Sequence, residues 1–158
     1  MSRARGAWAR TGITLGVVVL VDQVTKKLVR DGITPGDEDP ILPALKLVHV
    51  KNEGVAFGIE AGGKTIVIAL IALALLALVL YFARHTARPL IWLPTGLLMG
   101  GALGNIVDRI RDGAVTDFLK IPAWPAFNVA DVAITAGVLA LVLVLERREG
   151  SDEGPAGA

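Results

Sequence analysis

Apolar residues fall along this chain in four long blocks. Residues 65–83 contain 19 positions without a charged side chain, and 89–107 contain another 19. Lys120 and Glu146 bracket 25 residues whose only charge is Asp131. Near the start, 11–21 is apolar, Asp22 interrupts the run, and Lys26 and Lys27 close it. A helix needs about 20 apolar residues to cross the hydrocarbon core of a bilayer. The pattern therefore predicts four spans, at about 8–29, 65–83, 90–110 and 128–146. A different period appears between the first two. Leu45-Lys46-Leu47-Val48-His49-Val50-Lys51 alternates as a half-buried strand does, and Asn52-Glu53-Gly54 reads as a turn. With prolines at 35, 40 and 43, residues 31–64 are expected to form a small sheet-like lid outside the membrane.

Composition strengthens the membrane reading. Hydrophobic residues make up 53% of the 158 positions, and mean hydropathy is +0.60, more apolar material than a soluble domain of this size can enclose. Residues 1–148 are expected to be one integral membrane domain, and the acidic, Gly- and Ala-rich 149–158 a disordered cytoplasmic tail. The 84–88 loop carries two arginines and no acid, and the start of the chain carries three arginines and no acid. Those flanks favour cytoplasmic termini. Trp8, Trp92 and Trp124 all lie near span ends, where interfacial anchors belong. A cleaved signal peptide is the competing reading of the first span, but Asp-Gln-Val-Thr-Lys-Lys follows it in place of a small-residue cleavage site.

Residue chemistry narrows the function. A net charge of +1 without clustering of basic residues and aromatics argues against nucleic acid. There is no cysteine, which removes disulfides, thiolate metal sites and a thiol nucleophile together. The two serines, Ser2 and Ser151, lie beside the termini, and the two histidines, His49 and His85, are too dispersed for a metal site. Neither metal nor cofactor is expected. Any hydrolytic chemistry must come mostly from carboxylates.

Ionisable groups within spans are costly and usually functional. Asp22 and Lys26 are spaced i,i+4 and can form an ion pair. Asn105, Asp108 and Arg109 share a helix face behind glycines 100, 101 and 104, which permit close helix approach; an internal Asp108–Arg109 pair is the plain alternative. Asn128 and Asp131 are i,i+3 at the start of the last span, where a helix cap competes with a catalytic role. Asp117 lies in an apolar stretch of turn or strand character, and the short connection to 131 lets the two acids meet near the outer face. Converging carboxylates in an apolar site share a proton. One then accepts a proton from water while the other donates to a carbonyl oxygen.

Four stretches together resemble the lipoprotein signal peptidase (signal peptidase II) family: Asp22-Gln23-Val24-Thr25-Lys26, Asn52-Glu53-Gly54-Val55-Ala56-Phe57-Gly58, the run from Gly100 to Asp117-Phe118, and Phe127-Asn128-Val129-Ala130-Asp131. The resemblance implies an all-α membrane protein of four transmembrane helices with a small extracytoplasmic β-cradle. It implies an aspartic endopeptidase with Asp117 and Asp131 as catalytic pair, a choice the residues alone leave open between these acids and Asp108. Asn52, Asn105, Asp108, Arg109 and Asn128 would position substrate or the pair, and Asp22 and Lys26 would help hold the lipid-facing part of the site. The implied substrate is a prolipoprotein whose cysteine carries diacylglycerol, cut just before that cysteine. Membrane lipid is the surrounding partner, globomycin-like cyclic peptides are the expected inhibitors, and a monomer suffices. Glu53, Val55 and a short 117–131 connection depart from the family pattern. The rival reading is a non-enzymatic four-helix transporter or scaffold that uses intramembrane aspartates. A presenilin-like protease is disfavoured by the lack of a Gly-x-Gly-Asp motif.

Overall fold

The computed structural model describes residues 2–54 and 63–146; Val55 to Gly58 of the second motif and the 149–158 tail lie outside them. In chain order the elements are α1 (Ser2–Gly32), β1 (Glu38–Leu42), β2 (Leu45–Asn52), α2 (Gly63–Arg84), α3 (Trp92–Asp112), β3 (Val115–Lys120) and α4 (Val129–Glu146). The four apolar blocks are thus four helices. α1 runs beyond its expected 8–29 at both ends, because the charged residues that flank the apolar run are themselves good helix formers.

α3 is the hub, packed against α1, α4 and α2. Its glycines make this possible. A methyl group on Gly104 would stand 2.5 Å from Asp22 Oδ2, so only glycine lets α1 bring a carboxylate so close to the α3 backbone. Gly100 faces Val18 of α1, and Gly101 faces the Ala130 carbonyl of α4. The expected close approach is present, and it is made to two helices at once.

Polarity runs opposite to that of a soluble protein. Among the described residues, Lys26, Asp22, Asp108, Asp117, Asn128 and Thr95 are fully enclosed, while Ile13, Leu28, Leu70, Leu73, Leu139 and Leu143 are 59–66% exposed. Two small apolar clusters close the ends of this polar interior. Phe82, Ile91 and Ala7 form one, with Trp8 edge-on to Phe82 at 4.7 Å; Val29, Ile33 and Phe118 form the other, beneath β3. Among the described residues, α4 is by itself long and apolar enough to cross a membrane, with a mean hydropathy of 2.2, and Ala69–Arg84 is a shorter apolar stretch. α1 falls short because Asp22 and Lys26 lower its average, yet both are turned wholly inward.

The three strands form one antiparallel sheet in the order β1-β2-β3. β2 matches the alternating segment read from the sequence. β1 was not legible, since Glu-Asp-Pro-Ile-Leu does not alternate; its position at the sheet edge accommodates Pro40. Lys46 and Lys120 are directly opposed across β2 and β3, a destabilising like-charge pair. Glu38 of β1 resolves it by bonding both ammonium groups, Lys46 at 2.7 Å. Those bonds hold its carboxyl down at about 2, against an ordinary 4.5. The Glu38 contribution is therefore complete above pH 4.5 and lost as pH falls through about 2. Amide exchange across β1 and β2 should lose protection over that interval. In Glu38→Gln the protection should be weaker at neutral pH and no longer respond to acid there.

Candidate active site

The site is assembled by two turns and a bulge. Gly113 ends α3 with a left-handed φ of 73°, a conformation glycine adopts without strain, and the chain turns at once into β3. Asp108 Oδ2 accepts the Thr116 N–H at 3.2 Å, which fixes β3 to the end of α3 immediately before Asp117. The register of β2 against β3 shifts between Leu47 and Val50, so Val50 lies opposite Asp117. The bulge re-aims the strand. Asn52, two residues on, then shares a face with Asp117 and donates from Nδ2 to Asp117 Oδ2 at 2.9 Å. Asn52 Oδ1 accepts the N–H of Gly54 at 2.9 Å, with Gly54 at a φ of 73°, which is the expected turn.

The 117–131 connection returns quickly. Phe127 exchanges backbone hydrogen bonds with Leu119 at 2.8 and 2.9 Å, so Asn128 emerges beside Asp117. There it begins α4 with a reciprocal cap. The Asp131 N–H donates to Asn128 Oδ1 at 3.0 Å, and the Asn128 N–H donates to Asp131 Oδ2 at 3.2 Å. The remaining half of the Asn128 amide is directed elsewhere: Nδ2 donates to Asp117 Oδ1 at 2.6 Å and to Asn105 Oδ1 at 3.2 Å. Asn105 Nδ2 in turn donates to Asp131 Oδ1 at 2.8 Å. The cap is present, and the asparagine that makes it also bonds Asp117.

Asp117 is 2% exposed. Burial pushes its carboxyl above the usual 3.8; the Asn52 and Asn128 bonds pull it down, the Asp131 charge pushes it up again, and Lys26 lowers it. Asp131 is half-buried. An open cleft of about 610 Å³, lined by Val50, Lys51, Asn52, Glu53, Asp117, Pro125 and Ala126, reaches the site. An apolar groove of about 510 Å³ beside Trp124 shares Pro125 with it.

The other sequence candidates divide. Asp22 and Lys26 form the expected ion pair, at 2.8 Å, but both are fully buried between α1, α3 and the start of α4. The small residues of α3 let this stretch of α1 approach closely and turn both side chains inward. Asp108 pairs with Lys26 at 2.9 Å and not with its neighbour Arg109. Arg109 turns away, donating from NH1 to the Asn105 carbonyl at 3.2 Å and lying against Gly54. Gln23 was not singled out from the sequence. Its Nε2 reaches Asp108 Oδ1 at 2.9 Å, Asp22 Oδ2 at 3.1 Å and the Gly104 carbonyl at 3.2 Å. The signal available was an amide beside an intramembrane acid. Among the described residues, no group of three or more His, Asp or Glu side chains is arranged around a metal position.

A family model described as signal peptidase (SPase) II matches residues 14–146. The chain belongs to the signal peptidase II family. Enzymes of this family are aspartic proteases of the membrane that remove signal peptides from prolipoproteins. The chain is 43% identical to a lipoprotein signal peptidase of Symbiobacterium thermophilum, over 85% of this chain and 94% of that one. It is 37% identical to one of Halothermothrix orenii, over 87% and 95%. A solved bacterial membrane enzyme, 30% identical, superposes with a TM-score of 0.82 and covers 94% of this chain and 93% of its own. The helices and the three-stranded sheet are therefore a signal peptidase II arrangement.

Proposed function

We propose that Asp117 and Asp131 are the catalytic pair of this signal peptidase II, and that it cuts diacylglyceryl-modified prolipoproteins just before the lipidated cysteine. The observation that carries this reading is Asn128, whose single side chain bonds Asp117 and caps against Asp131. It ties the Asp117 carboxyl, which lines the open cleft, to the first turn of the helix that carries Asp131.

The two acids share one proton, and burial of Asp117 disfavours loss of its own. The ionised carboxylate of the pair takes a proton from water as the water oxygen attacks the scissile carbonyl carbon. The protonated partner donates to the carbonyl oxygen, giving a neutral gem-diol. The first acid then returns its proton to the amide nitrogen, the second recovers one from a diol hydroxyl, and the C–N bond breaks. Asn52, Asn105 and Asn128 hold the carboxylates, while Asp22, Lys26, Asp108 and Arg109 support the helix ends that carry them.

In this reading all four helices span the membrane, both termini are cytoplasmic, and the sheet lies on the outer face. The apolar exterior and enclosed charges support it, as does Trp124, 64% exposed beside the sheet. A diacylglyceryl anchor keeps the substrate in the bilayer and presents its peptide at the level of the cleft. The protein acts as a monomer, and globomycin-like cyclic peptides inhibit it.

The test is purified protein in lipid vesicles with a diacylglyceryl-modified prolipoprotein. Cleavage is expected immediately before the cysteine, with the unmodified precursor left intact and a globomycin-like peptide blocking turnover. An intact modified precursor, or a solute flux that depends on the aspartates without any cleavage, overturns the proposal.

A further inference from the structure

Lys26 occupies an unusual position. Its side chain is fully buried, and its ammonium group meets three acceptors: Asp22 Oδ2 at 2.8 Å, Asp108 Oδ2 at 2.9 Å and Asn105 Oδ1 at 2.9 Å. An ammonium has three donors, so the group is saturated. Each of the two carboxylates it grips holds one backbone N–H from another element. Asp22 Oδ1 accepts the Ala130 N–H at 2.9 Å, and Asp108 Oδ2 accepts the Thr116 N–H at 3.2 Å. Ala130 immediately precedes Asp131, and Thr116 immediately precedes Asp117. The third acceptor, Asn105, is the amide that donates to Asp131 Oδ1 at 2.8 Å.

We infer that Lys26 is the positioning residue that sets the separation and orientation of Asp117 and Asp131. The inference rests on those two acids being the catalytic pair. The geometry gives Lys26 three lines to the reacting groups. Through Asp22 it ties the first turn of α4, and through Asp108 it ties the start of β3. Through Asn105 it fixes an amide: with Oδ1 drawn to the ammonium, Nδ2 must face Asp131. Ionic and charge-assisted bonds of this kind are strong and directional. The two elements that carry the carboxyl groups are otherwise joined by Asn128 and by the backbone bonds of Phe127 to Phe118 and Leu119, which fix the strand to the chain before α4 but make no bond to either carboxyl group. A buried ion cluster is weak evidence for stability, since neutral packing often serves as well. Here it supplies the shared origin from which both aspartates are placed.

Two variants separate positioning from folding. Lys26→Met removes the ammonium at similar length but leaves two buried acids uncompensated, which endangers the fold. The triple variant Asp22→Asn, Lys26→Met, Asp108→Asn removes all three charges and leaves neutral acceptors for the backbone N–H groups. Both are compared with wild type in vesicles, with kcat and KM for the modified prolipoprotein expressed per folded molecule. In the folded triple variant, KM is expected within about threefold of wild type and kcat lower by about 100-fold, the effect of misplacing a reacting group by about 1 Å. Lys26→Met should show the same split in its folded fraction. A kcat per folded molecule within threefold of wild type in the triple variant overturns the inference, as does a loss confined to KM. Inactive wild-type protein would instead overturn the catalytic reading on which the inference rests.

Discussion

Asp117→Asn and Asp131→Asn should each lower prolipoprotein turnover on the order of 10⁴-fold, because each removes a proton donor or acceptor that the reaction uses. The two variants should nevertheless remain folded. At Asp117 two effects oppose one another. Both oxygens accept from amide nitrogens, Asn52 Nδ2 at 2.9 Å and Asn128 Nδ2 at 2.6 Å. An amide in their place offers one acceptor and sets its own NH₂ against a donor. Neither neighbour is free to rotate, since Asn52 Oδ1 holds Gly54 N–H and Asn128 Oδ1 holds Asp131 N–H. The mismatch costs about 1–3 kcal/mol. Against it, a carboxyl whose ionisation burial disfavours is replaced by a neutral group. Because the folded Asp117 carboxyl lies above its ordinary 3.8, wild-type stability declines as pH rises through that interval, and the Asp117→Asn variant escapes the decline. Processing assays beside thermal melts in detergent at two pH values check both halves. Near-normal processing by either variant refutes the catalytic pair.

Replacing Asn128 should produce the second largest effect, and it should fall on stability and rate together. Asn128→Ala loses the helix cap, worth about 1–2 kcal/mol, and leaves Asp117 Oδ1 without its 2.6 Å donor. Turnover should drop by about 10²-fold or more as Asp117 loses its short donor and the first turn of α4, which carries Asp131, loses its cap. Asn128→Ser separates the two roles. A serine hydroxyl caps a helix as well as asparagine does, but it does not span the distance to Asp117 while capping. Most of the melting temperature should return without the rate. Equal recovery of both would show that Asn128 matters only as a cap.

The helices were legible because charge-free runs of bilayer length are hard to read in any other way, and β2 because its side chains alternate. β1 was not, since Glu38, Asp39 and Pro40 suit a strand only once β2 lies alongside. The site was partly legible. Asp22 with Lys26 and Asn128 with Asp131 announce themselves by helical spacing, and both pairs meet. Asp108 looked as eligible as Asp117, and only the family resemblance separated them. In the structure the Asp108 carboxylate is already engaged by Lys26, Gln23 and the Thr116 N–H, which supports its assignment as a brace. What the sequence could not disclose is contact to the main chain. The bonds from Asp22 to Ala130 N–H and from Asp108 to Thr116 N–H use atoms common to every non-proline residue, so no residue type marks their far ends.

The inverted polarity of the interior bears on how this protein responds to temperature. In a water-soluble domain the heat capacity of unfolding comes mainly from oily surface becoming wet. Here many leucines face outward already, and the interior sets amide, carboxylate and ammonium groups beside only small apolar clusters. Melting in a lipid or detergent phase therefore wets little new hydrocarbon. Its stability should follow a shallow, nearly straight line with temperature, without the marked loss on cooling that hydrophobic cores impose.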